Sequence, residues 1–185
     1  MLSGLLYWLS PGRRRFMRRL GRPGLNRIAA RLARAGSPAA IEFLSILLRG
    51  NAEFLGFALS SDGALARFAP GATTGQAEAC LASMLIFAVA LFARDEMQRE
   101  DTQLVPLLAE VAALEPKQVM LRRDQLRKSP RSEEWMLYTW MVDALGGERP
   151  SYDGELERAF AYQYLSYIGQ YRPALERALT RLQSA

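Results

Sequence analysis

The chain contains no histidine. Histidine titrates nearest neutral pH, and it is the commonest general base and the commonest protein ligand of zinc and haem iron. Its absence excludes Ser-His-Asp and Cys-His nucleophile systems. Cysteine is almost as scarce. Cys80 stands alone, so a single chain can build neither a thiolate metal site nor an intrachain disulfide. Set inside an apolar run, Cys80 is expected to be buried and inert rather than a reactive thiol. Carboxylates, lysine, tyrosine and serine remain for chemistry, and no catalytic, metal or cofactor constellation emerges from them. The expectation is therefore a protein that is not an enzyme and carries no cofactor.

Acidic residues are missing from one region only. Residues 1–41 hold nine arginines, Arg13, Arg14, Arg15, Arg18, Arg19, Arg22, Arg27, Arg31 and Arg34, and no Asp or Glu, a charge of +9. The rest of the chain has 15 basic against 19 acidic residues, or −4, which accounts for the net +5. Such a split points to an anionic partner. A GC-rich genome would explain why only two of the 24 basic residues are lysine. It does not explain the missing acids.

Long apolar runs are also lacking. A membrane-spanning helix needs roughly 18 to 20 apolar residues. The nearest candidate, residues 79–93, reads as a buried core helix. Residues 1–9 are apolar and precede the arginines, the reverse of a secretory signal, whose charges come first. A cytoplasmic location fits these features, with a peripheral seat at the membrane if the basic segment meets lipid.

At 185 residues and 50% hydrophobic, the chain can bury one substantial core. Periodicity at three and four residues, good helix formers and few β-branched runs predict an all-α protein. The expected form is a compact bundle or irregular helical array of about seven to nine helices. The division expected is a basic N-terminal arm over residues 1–36, built of amphipathic helix, and one helical domain over 37–185.

A basic amphipathic helix is predicted over 23–35, with Leu25, Ile28, Ala29 and Leu32 on one face and Arg27, Arg31 and Arg34 on another. Ser37-Pro38 supplies a cap and a first-turn proline for a helix reaching about Leu59. Residues 60–71 are turn-rich. A long helix is expected from near Thr74, emerging into solvent at Arg94-Asp95-Glu96, and then helices over 102–114 and 116–127. Ser129-Pro130 and Ser132-Glu133-Glu134 are start signals for the next. It ends at Gly146-Gly147, which suits a left-handed cap. Two closing helices come after Asp153.

The basic arm is the leading functional candidate. Tyr7, Trp8 and Phe16 stand beside its arginines, an alternation that suits three partners. The first is an acidic protein surface, including another copy of the chain. The second is an anionic membrane, where apolar side chains enter the headgroup boundary. The third is nucleic acid, where guanidiniums meet phosphates and aromatics stack on bases. A solvated or targeting segment is the last reading, and mitochondrial presequences share this composition.

Three further patterns have plainer explanations. Lys117, Arg122, Arg123, Arg127, Lys128 and Arg131 in a helix-turn-helix setting invite a DNA-binding reading, but a solvated face accounts for them. Asp95, Glu96, Glu100 and Asp101 could hold Mg²⁺ for a carboxylate-dependent enzyme. No second carboxylate pair is evident, and Arg94 and Arg99 can neutralise the run. Phe160, Tyr164, Tyr167 and Tyr171 form an aromatic stripe that reads as core packing sooner than a pocket. Trp135, Trp140, Met136 and Met141 could pack against it.

Gly169-Gln170-Tyr171-Arg172-Pro173-Ala174-Leu175 resembles the turn between the two helices of a tetratricopeptide repeat. The resemblance covers seven residues, departs from the family pattern at Ala178 and Arg181, and has no second copy at a 34-residue period. It implies a helical hairpin here and no functional residue.

Overall fold

A computed structural model describes residues 22–60, 63–98, 103–148 and 150–184. Among these residues there are nine α-helices and no strand. They are α1 (Arg22–Ala35), α2 (Pro38–Ala58), α3 (Thr74–Phe92), α4 (Arg94–Gln98), α5 (Leu104–Ala112), α6 (Pro116–Lys128), α7 (Glu133–Ala144), α8 (Gly154–Gly169) and α9 (Arg172–Gln183). A 3-10 helix, Ala66–Gly71, lies between α2 and α3.

Local chemistry sets the helix ends. Ser37 accepts from the Ala40 amide at 3.3 Å, Ser132 from Trp135 at 3.1 Å, and Asp153 from Glu155 and Leu156 at 2.9 and 3.1 Å. Each satisfies an amide that the helix itself leaves without a partner. Thr73 and Gln76 close a reciprocal capping box at the start of α3. Gly146 ends α7 at φ 75°, the left-handed conformation in which a glycine lacks the steric penalty of a Cβ.

The central element is α3, against which α1, α2, α5, α6 and α7 all pack. By length and mean hydropathy it could cross a membrane. Here, every residue at positions 80–89 is buried against the surrounding helices, so its apolarity is that of a core helix enclosed by protein. The chain breaks at Ala93 before the short α4, a break that the apolar periodicity does not signal. After it Met97 turns back into the core.

The closing hairpin α8–α9 lies on α2, and α8 also meets α7. Gly50 allows this close approach: a Cβ there would stand 2.9 Å from Ile168 Cδ1 and 3.1 Å from Tyr171 Cδ2. An aromatic cluster joins four helices at this junction. Phe54 of α2 meets Phe160 and Tyr164 of α8 edge-on at 5.4 and 5.1 Å, Phe87 of α3 meets Tyr164 at 5.4 Å, and Tyr138 of α7 meets Phe160 at 5.2 Å. These edge-to-face contacts add to the area the rings bury.

Candidate functional site

The nine candidate arginines do not form one set. Arg13, Arg14, Arg15, Arg18 and Arg19, with Tyr7, Trp8 and Phe16, lie outside the described residues. Arg22 opens α1. The apolar stripe of α1 buries Ile28 and Leu32 against α3 and α5, while Ala29 stays exposed. This stripe carries Arg31 to the edge of the buried face, where its guanidinium donates to Glu78 Oε1 and to the Val111 carbonyl, both at 2.7 Å. Arg27 reaches the other Glu78 oxygen at 3.3 Å. The Arg31 and Glu78 side chains are only 19% and 15% exposed, against 62% for Arg27. Partial burial raises the strength of the Arg31 contact and the cost of breaking it. Arg34 is exposed and donates to the Ala30 carbonyl at 3.2 Å.

The second basic cluster also divides. Arg122 turns inward, donating to Ser83 Oγ at 2.7 Å with its guanidinium 5.3 Å from the Trp140 ring centre. Burial pulls its pKa down, and nearby Asp143 opposes that shift. Arg123 donates to Asp124 at 3.1 Å and to the Met97 carbonyl at 3.4 Å. Arg131 stacks 3.9 Å over Tyr152, whose hydroxyl donates to Glu157 at 2.6 Å. Lys117, Arg127 and Lys128 are exposed. In a helix-turn-helix reading α7 would enter the DNA groove, but seven of its twelve residues are buried. That leaves it no free face for recognition.

The carboxylate run offers little to a cation. Arg94 pairs with Glu133 at 2.6 Å rather than with its neighbours, and Glu96 accepts from Gln183 at 3.3 Å. Glu100, Asp101 and Arg99 lie outside the described residues. Among the described residues no group of three or more Cys, Asp or Glu side chains is placed to hold a metal. A cleft of about 30 Å³ is lined by Ala90, Met97 and Leu126 and by Arg94, Arg123, Arg127 and Glu133. It has room for about one water.

Cys80 is fully buried, and desolvation pushes its thiol up to about 12. The aromatic stripe runs from core to rim. Phe160 and Tyr164 are buried, and the Tyr164 hydroxyl donates to Asn51 Oδ1 at 3.0 Å. Tyr167 stacks on Phe57 at 5.4 Å. Tyr171 is half-buried, its hydroxyl pushed up to about 12 by desolvation and by Glu53.

No family model, curated protein or solved structure matches this chain.

Two features escape the sequence reading. Glu78 ties α1 to α3, and its only signal is that it is the one charged residue of α3. Met120 and Leu121 are exposed on α6, 36% and 59% respectively. Their signal is that Val119 and Leu126, the two buried residues of α6, stand seven apart and place both neighbours off the core face.

Proposed function

We propose that the protein is a non-enzymatic interaction or assembly protein, a helical body whose arginine-rich N-terminal segment docks onto an anionic protein or membrane surface. The observation that carries this reading is the charge distribution: nine arginines and no acid over residues 1–41, on a remainder of net −4. The packing of α1 narrows the segment concerned. Arg31 is committed to Glu78 and Arg27 pairs with it at the surface, so the reading rests chiefly on the six arginines of residues 1–22, with the exposed Arg34 beside them.

The test is recruitment with and without residues 1–21. The cut leaves α1 whole and keeps Ile28, Leu32 and the Glu78 contacts in place. Tagged full-length and truncated chains are compared by pull-down divided into protein, membrane and nucleic-acid fractions. Loss of partner recovery with unchanged helical circular dichroism supports docking through the segment. Undiminished recovery overturns it, and a partner confined to the nucleic-acid fraction moves the reading to nucleic-acid binding.

A further inference from the structure

The outward side of α6 combines features that the folded body does not need. Val119 and Leu126 are its buried residues. At about 100° per residue, Lys117, Leu121, Asp124 and Lys128 fall on the opposite side, flanked by Met120 and Arg127. Lys117, Met120, Leu121, Arg127 and Lys128 are all exposed. The only two lysines of the chain stand on this one stripe, one on each side of an exposed aliphatic pair. Asp124, the single acid of α6, already accepts from Arg123 at 3.1 Å. Lys117, Arg127 and Lys128 form no ion pair with a carboxylate among the described residues.

We infer that this stripe is a lipid-contact surface: Met120 and Leu121 enter the headgroup boundary of an anionic bilayer while Lys117, Arg127 and Lys128 meet its phosphates and carboxylates. The inference rests on the reading that the partner surface is anionic, and it names that surface. Charge complementarity and side-chain chemistry carry it. Lysine stems lie along apolar surface with the ammonium directed to the polar layer. Leu121 stands among the outermost positions with Met120 on their flank, and this exposed aliphatic pair matches acyl chain better than a nucleic-acid surface of phosphate and sugar. No aromatic residue on α6 offers a base a stacking platform.

The test labels position 121 of the full chain. Cys80 is buried, so in Leu121→Cys the new thiol alone is reactive and takes an environment-sensitive fluorophore. The labelled protein is mixed with phosphatidylcholine vesicles, with the same vesicles containing phosphatidylserine, and with duplex DNA. The expected result is a several-fold emission rise with a blue shift on the phosphatidylserine vesicles alone. Unlabelled Lys117→Gln/Lys128→Gln should sediment with those vesicles about tenfold or more weakly, with an unchanged melting curve.

Vesicles that bind the protein while the label stays silent overturn the α6 inference and leave docking through residues 1–22 standing. A label that responds more to DNA than to lipid overturns it in favour of nucleic acid. If no version of the chain sediments with phosphatidylserine vesicles, the inference fails together with the membrane branch of the proposed function. In that case recruitment to an acidic protein remains.

Discussion

Ala113 sits between α5 and α6 with φ 54°, a left-handed conformation in which its Cβ crowds the neighbouring carbonyl. It is exposed, so its side chain contributes little packing. Ala113→Gly is expected to stabilise the protein by about 0.5–1 kcal/mol, after glycine's greater unfolded-state freedom is set against the relieved strain. Urea denaturation measures this, and a loss of stability would show that the strain is absent. Cys80 makes a pH prediction. Its folded pKa is raised to about 12, whereas an unfolded thiol releases its proton near about 8.5. Between those values the folded chain keeps a proton that the unfolded chain has lost. Stability is therefore full below that window and falls as pH rises through it. Tyr171 and Tyr164, also raised by burial, act in the same direction. Cys80→Ala should be less stable at neutral pH because of the cavity, yet show a shallower decline between about pH 9 and 12. An unchanged slope would assign the decline to the tyrosines alone.

At the scale of elements, most of the fold was legible because helix ends are local chemistry. Ser37, Thr73, Ser132 and Asp153 can cap only a helix on their C-terminal side, and Gly146 can end only one on its N-terminal side. The features beyond reach were non-local. The amphipathic pattern of α1 places Arg31 beside Arg27 and Arg34, and nothing in those residues tells that Glu78, 47 positions away, selects Arg31 as the partly buried partner. The inward turn of Arg122 toward Ser83 and Trp140 is likewise set by neighbouring helices. The tie between α1 and α3 predicts non-additive energetics. In a double-mutant cycle, Arg31→Ala and Glu78→Ala should show a coupling of about 1 kcal/mol or more, larger than that of Arg27 with Glu78. Equal couplings would mean that burial adds nothing to the contact with Arg31.

At the scale of the whole molecule, the all-α array around α3 buries most of the apolar segments among the described residues, and the aromatic stripe is resolved as core and rim. The candidate docking segment was legible as a charge pattern, because an acid-free run of arginines needs no tertiary structure to be noticed. Which of its arginines serve the fold was not legible, since that depends on where Glu78 and Val111 meet α1. The lipid-facing stripe of α6 was hidden for a related reason: six basic residues read as one cluster until packing separates Arg122, Arg123 and Arg131 from Lys117, Arg127 and Lys128. The most direct test of docking through the N-terminal segment is the affinity of the purified full chain for phosphatidylserine vesicles and for an immobilised acidic protein surface, measured against Arg13→Gln/Arg14→Gln/Arg15→Gln/Arg18→Gln/Arg19→Gln over a range of salt. Five lost cations at about 1 kcal/mol each amount to about 5 kcal/mol, so binding to one of those surfaces should weaken by about a thousandfold or more, and its salt dependence should flatten. Equal affinity of the two chains at every salt concentration would contradict the proposed docking role.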